Sequence, residues 1–347
     1  MKKLFLLTLV VCLSVCIISC GNNSTTETVN LYTWEGYVPS NVIEAFTEET
    51  GIKVNYTNFS SNEEMYAKLK ATNAGEYDVI IASDYIFETM AREGGLMTEI
   101  DKSKITNWNN ISPSYLNKQF DPDNKYTVPY ATGGILLAYN EKTSPVEIKG
   151  YKDLLNPALK GEIVSIDEMR VVIGMMNLLH GNSLNETDIS KLNDAKVSLE
   201  KFVDNVLAFN SDKAHEILLS GEASVGLMYS SQVSAAITEN SDIKVVYPEE
   251  GIGIGIDSAF IPLNAPHKEA AYKFIDYLNR AEVNASIMPQ IQYGTTNSAA
   301  MELLDEEFKS NKAINIPEEY TLNSEIICDV GEVAKVYNDI WTEVKIK

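Results

Sequence analysis

The sequence is poor in the residues that most catalytic and redox chemistry needs. Its 347 residues hold four cysteines and three histidines. His180, His215 and His267 stand at no metal-ligand spacing, and there is no His-Glu-x-x-His run, so the familiar zinc centres are excluded. No Gly-x-Ser-x-Gly elbow and no Walker loop occur, so α/β-hydrolases and P-loop NTPases lack their signatures here. Positive charge is scarce too: 28 Lys and Arg stand against 49 Asp and Glu, a net charge of −21. Such a surface repels phosphates and excludes nucleic acid as a partner. The same field concentrates cations. Carboxylates are too many for counting alone to exclude a glycosidase pair. No nucleophile and base can be matched, however, so no catalytic residue, cofactor or metal is expected and the chain reads as a binding protein.

Long apolar runs are also absent, with one exception at the start. Lys2 and Lys3 precede a run from Leu4 to Ile18, about 15 residues long, the length of a signal-peptide core and short for a spanning helix. It ends in Ile17-Ile18-Ser19-Cys20, which resembles a bacterial lipobox, with Cys20 as the residue that takes the lipid. Residues 1–19 are therefore expected to be a lipoprotein signal peptide and 20–28 a polar tether from a membrane anchor at Cys20. Cys12 and Cys16 leave with the signal, which leaves Cys328 alone in the folded part, with no partner for an intrachain disulfide.

From residue 28 onward strand and helix patterns alternate. Val29 to Thr33, Ile52 to Tyr56 and Tyr77 to Ala82 read as strands. Between them, Val42, Ile43 and Phe46 carry one helix closed by Gly51, and Ser61 to Glu64 form a capping box that opens another. This order predicts an α/β fold with a parallel sheet. In such sheets ligands sit at the carboxyl ends of strands. Here the segments after the strands are Trp34-Glu35-Gly36-Tyr37 and Ser83-Asp84-Tyr85, both aromatic and acidic. Further on, Gly133 and Gly134 suggest a hinge into a second lobe, and Gly251 to Asp257 a flexible crossover between lobes. That glycine run is no dinucleotide loop, because Ile256 stands where the last glycine of the fingerprint belongs.

The candidate site follows from chemistry. The aromatics Trp34, Tyr37, Tyr85, Tyr229 and Tyr293, with the acids Glu35, Asp84, Asp167, Glu168 and Asp257, fall at expected strand ends and lobe edges. An alkylammonium needs carboxylates for its charge. Its methylenes need aromatic faces, which also attract the cation by about 0.5–2 kcal/mol per contact.

At these residues the sequence resembles the periplasmic spermidine/putrescine-binding proteins of ABC importers, from about residue 29 to the C-terminus. The segments that carry the resemblance include Trp34-Glu35-Gly36-Tyr37-Val38-Pro39, Ser61 to Lys70, Ser83-Asp84-Tyr85, Phe209-Asn210-Ser211-Asp212, Asp257-Ser258 and Asp329-Val330-Gly331. The resemblance implies a two-lobed type II periplasmic-binding-protein fold with a ligand cleft between lobes. Lobe 1 is expected over 29–131 and 257–300, and lobe 2 over 132–256 and 301–347. It implies a monomer, held outside the cytoplasmic membrane or in the periplasmic space, that delivers to a membrane permease. The implied ligand is spermidine or putrescine, lying between Trp34, Tyr37, Ser83, Tyr85, Ser211, Tyr229, Asp257 and Tyr293, with Glu35 and Glu168 as further acids. Asp257 matches the acid that pairs with a central amine. Five positions depart from the family pattern: Gly36 and Val171 replace acids, Ile327 a Gln, and Gly255 and Tyr229 tryptophans. A shorter diamine, another small organic cation or an amino-acid-like solute is the alternative ligand.

Overall fold

The computed structural model describes residues 27–321 and 324–346. The leader and Cys20 lie outside the described residues. In chain order the first elements are β1 (Thr28–Thr33), α1 (Ser40–Thr50), β2 (Lys53–Asn58), α2 (Asn62–Ala71), β3 (Val79–Ala82) and α3 (Asp84–Glu93). Then come β4 (Thr127–Asn140), β5 (Ile163–Ser165), α4 (Met169–Leu179), α5 (Ile189–Asn205), β6 (Val206–Phe209), α6 (Ala214–Ser220), β7 (Val225–Tyr229), α7 (Ser230–Glu239) and β8 (Ile243–Val246). The chain closes with β9 (Gly253–Phe260), α8 (Lys268–Leu278), α9 (Ala281–Ile291), β10 (Gly294–Thr295), α10 (Ser298–Leu303), α11 (Glu306–Ser310), α12 (Glu318–Thr321), β11 (Glu325–Ile326) and α13 (Ala334–Ile346).

Local chemistry fixes the helix ends that matter below. Gly51, at φ +72°, closes α1 in the left-handed conformation, and its N–H returns to the Thr47 carbonyl at 2.8 Å. Ser61 caps α2 by accepting from the Glu64 amide at 3.1 Å, while the Glu64 carboxylate reaches back to the Ser60 amide at 2.9 Å. Both ends anchor helices whose apolar stripes face the sheet.

The sheet is continuous across two halves. In the first half β1 lies between β2 and β3, parallel to both, and β9 runs antiparallel to β3. In the second half β5 lies between β6 and β7, parallel to both. The link is β4, 14 residues long. Its first stretch, Thr127 to Gly134, pairs with β9; its second, Ile135 to Tyr139, pairs with β7. The expected glycine hinge stands where β4 passes from one half to the other, as continuous strand, and Gly253 to Asp257 of the expected crossover is part of β9. Both segments satisfy their backbone groups through ladder bonds, which a loop at the buried centre of the molecule could not do.

Each half has apolar packing on both faces of its sheet. In β3 the four residues are all buried, but Val79 and Ile81 join one cluster with Phe46 and Phe274, while Ile80 and Ala82 join another with Phe87 and Phe260. A strand covered on both faces reads as an unbroken apolar run, as Val79 to Ala82 does. The second half packs Tyr151, Phe202 and Tyr337 on one face and Leu136, Met228 and Val233 on the other. The chain past residue 300 does not pass at once to the second half. Leu304 and Phe308 pack into the first core, and Ala313 is the first residue of this stretch buried in the second. The stretch 301–308, expected in lobe 2, packs instead on the first core, because α10 stacks on α9 and brings α11 with it, while Asn311 and Lys312 already bond to Ser234 and Tyr247 of the second half.

Candidate functional site

The carboxyl ends of β1 and β3, the middle of β9, the end of β7 and the start of α4 converge on one cleft of about 740 Å³. Trp34, Glu35, Tyr37, Ser83, Tyr85, Glu168, Ser211, Tyr229, Asp257 and Tyr293 all line it.

The loop after β1 builds the first wall. Gly36 takes φ +70°, a conformation that strains L side chains, and this turns the chain so that the Tyr37 amide reaches the Trp34 carbonyl at 3.2 Å. Trp34 sits edge-on to Phe59 and to Tyr37, with ring centroids 4.8 and 5.3 Å apart. Tyr130 donates to the Tyr37 carbonyl at 2.7 Å and pins the loop. Tyr37 is buried and its hydroxyl donates to Asp257. Glu35, one residue from Trp34, stands exposed at the rim.

Asp257 is the acid at the middle of the floor. It projects from β9 and is hydrogen-bonded by the hydroxyls of Tyr37 and Ser83. Burial raises its carboxyl above the ordinary aspartate range, and the two hydroxyls pull it part of the way back. Its neighbour Asp84, almost wholly buried, accepts from the Ile256 and Tyr85 amides at 2.9 and 2.8 Å. Burial and the nearby Asp257 charge push Asp84 well above its usual range. No cation of the protein pairs with either carboxylate among the described residues.

A second acidic group lies where the halves face each other. Tyr85 donates to Glu63 at 3.0 Å and accepts from Asn62 at 3.1 Å. From the opposite half, Glu168 sits at the N-terminus of α4 and is hydrogen-bonded by Tyr229. Burial first, then the charges of Glu63 and Asp167, raise Glu168 to about 7. Ser211 accepts from the Asp167 amide at 2.8 Å, and its carbonyl accepts from Gln232 at 2.7 Å. Tyr293 closes the remaining side. Its ring is edge-on to Tyr37 at 5.7 Å, and burial and the Asp257 charge raise its hydroxyl to about 12.

Two of the acids singled out in the sequence do different work. Asp84 spends its lone pairs on backbone amides, and Asp167 points away to an ion pair with Lys345 at 2.6 Å. The sequence reading missed Glu63, Asn62, Gln232 and His215, all of which line the cleft. Glu63 and Asn62 were legible in principle, since they begin the helix that follows the end of β2. Among the described residues the one lysine on the lining, Lys213, is tied to Glu216 at 3.1 Å. The cleft as a whole is therefore a negative, aromatic-walled slot suited to an organic cation. No cluster of His, Cys, Asp or Glu able to hold a metal ion occurs among the described residues, and none of their helices is long and apolar enough to cross a membrane.

Two half-sheets sharing long strands, with a cleft where strand ends meet, define a two-lobed solute-binding protein of the type II periplasmic-binding-protein fold. A family model for bacterial extracellular solute-binding proteins matches residues 41–316. The spermidine/putrescine-binding periplasmic protein of Escherichia coli is 38% identical over 320 residues, covering 92% of each chain. Spermidine/putrescine-binding periplasmic protein 1 of Haemophilus influenzae is 36% identical over 92% of this chain and 89% of its own. Among solved structures, the spermidine/putrescine transporter substrate-binding protein PotD of Streptococcus pneumoniae superposes with a TM-score of 0.82 at 31% identity, covering 92% of this chain and 99% of that one. The chain belongs to the spermidine/putrescine-binding periplasmic protein family of bacterial extracellular solute-binding proteins, a family of binding proteins and not of enzymes.

Proposed function

We propose that this chain is the lipid-anchored receptor of an ABC importer and captures a polyamine in the cleft between its halves. The observation that carries the reading is Asp257: a carboxylate held on the cleft floor by two hydroxyls, with no cation beside it among the described residues. A half-buried carboxylate without a cation is costly, and an ammonium of the ligand relieves that cost. Trp34, Tyr37, Tyr85, Tyr229 and Tyr293 supply ring faces and edges for the methylenes, and Glu63 with Glu168 supplies charge for a second ammonium. Ser83 and Ser211 hold positions on the walls, and Glu35 faces the entrance. The relatives' ligands, spermidine and putrescine, have this chemistry.

The Ile17-Ile18-Ser19-Cys20 run supports attachment of lipid at Cys20, with residues 20–28 as a tether on the outer side of the cytoplasmic membrane. The halves act as lobes that close over the amine and present it to a permease. Titration calorimetry of the purified protein with putrescine and spermidine tests the ligand. Micromolar or tighter binding supports the reading; no heat with either amine overturns it. Mass spectrometry of the N-terminal peptide from membranes tests the anchor, which an unmodified Cys20 or cleavage elsewhere would refute.

A further inference from the structure

On a strand, residues two apart share a face. Gly255 therefore projects from β9 on the same side as Asp257, into the cleft it lines. A side chain at Gly255 would enter open space: the one atom within 4 Å of its Cβ position is Oδ2 of Asp84, at 3.9 Å. The neighbours of Gly255 across the sheet are known from register. On β4 it is Gly133, whose own Cβ position stands 2.6 Å from Cε1 of Tyr293, so the tyrosine ring lies directly on that glycine. On the other side β11 runs parallel to β9, with Ile326 opposite Ile254, and the cleft-lining Ile327 follows at the level of Gly255. Arg170 donates to the Cys328 carbonyl at 3.1 Å, which brings the first turn of α4, with Val171, to the same end of the cleft. The Arg170 guanidinium itself lies over the Tyr337 ring, 4.3 Å from its centre.

The result is an open slot with a flat glycine floor, a tyrosine wall, an isoleucine wall, and carboxylates at its edge. A compact ammonium is strongly hydrated and wants acceptors all round, which apolar walls do not give. A guanidinium is flat, weakly hydrated on its faces, and carries its donors on its rim. Given that the cleft takes an alkyl diamine, we infer that the slot over Gly255 is a subsite for a planar cation, and that the chain selects ω-guanidino alkylamines over plain diamines. The faces of the guanidinium lie on Gly255 between Tyr293 and Ile327. Its rim donates to Asp257, with Asp84 only bordering the slot, and the alkyl arm carries the amine toward Glu63 and Glu168.

The probe is agmatine, compared with putrescine, by titration calorimetry on the purified protein and on its Gly255→Ala and Gly255→Leu variants. Agmatine is expected to bind wild type about tenfold or more tighter than putrescine, the worth of one charge-assisted hydrogen bond. Gly255→Ala reduces that ratio and Gly255→Leu brings it close to one, while the melting temperature of each unliganded variant reports that the fold is kept. Putrescine binding as tightly as agmatine, or a preference that survives Gly255→Leu, overturns the slot alone. Binding of neither amine overturns the amine reading and the slot with it.

Discussion

The hydroxyl of Tyr37 donates to the carboxylate of Asp257, 220 positions later in the chain, and so ties the loop after β1 to the strand that crosses both halves. The bond orients the acid before any ligand arrives. Replacing Asp257 by Asn keeps the shape and removes the charge. Loss of one partner from a desolvated charge pair costs about 2–5 kcal/mol. Putrescine affinity is therefore expected to fall thirtyfold or more, read by calorimetry, with the unliganded melting temperature unchanged or raised.

Binding is expected to strengthen as pH rises from 6 to 8. Glu168 is held near 7 by burial and by Glu63 and Asp167, against an ordinary value of 4.5. An acid raised on folding binds more protons in the native state between those values, so its contribution to stability falls as pH rises through that window. An ammonium favours the ionised form and expels the proton. Calorimetry in buffers of different ionisation enthalpy reads the released proton near neutral pH, and Glu168→Gln abolishes that release.

Gly133→Ala is expected to damage the site without touching a polar group. The new methyl would stand 2.6 and 2.7 Å from the Tyr293 ring and must push it off its seat. Overpacking of this kind costs about 1–3 kcal/mol. Thermal unfolding reads the loss of stability, and amine titration reads a weaker Kd through the displaced Tyr293.

Asp329 bridges the halves beside the cleft. Its carboxylate takes an ion pair from Arg92 and a hydrogen bond from Thr89 at 3.1 Å, both on α3, and its amide donates to Glu88 at 3.2 Å. Asp329→Asn is expected to speed ligand release several-fold, since an exposed or half-exposed ion pair contributes about 0.2–1 kcal/mol. Stopped-flow dissociation at low and high salt checks this, and the effect shrinks at high salt.

Much of the fold was readable because the chain is locally consistent. Ser61 and Gly51 mark helix ends, and the all-buried β3 reads as an apolar run. The glycines mark the passage between the halves, with β4 changing partner after Gly134, but their strand conformation was not legible. Gly133, Gly134, Gly253 and Gly255 read as joints between lobes, and all four lie in paired strands. Their absence of side chains serves packing and space, with Tyr293 over Gly133 and Met175 close to Gly253. Periodicity carries no record of a neighbour from a distant part of the chain. The same limit hid the pairing of Asp167 with Lys345 and of Glu63 with Tyr85, and placed the passage into the second core a dozen residues early. That the aromatic and acidic residues after β1 and β3 line the cleft was legible because a strand-end rule points to them before any contact is known.

The two strands β4 and β9 run unbroken from one core into the other, side by side from Thr127 to Gly134. Neither core can melt without stripping ladder bonds from the edge of its neighbour. Heat should therefore undo both at a single temperature, and an amine that touches only a few side chains at the seam protects the whole molecule.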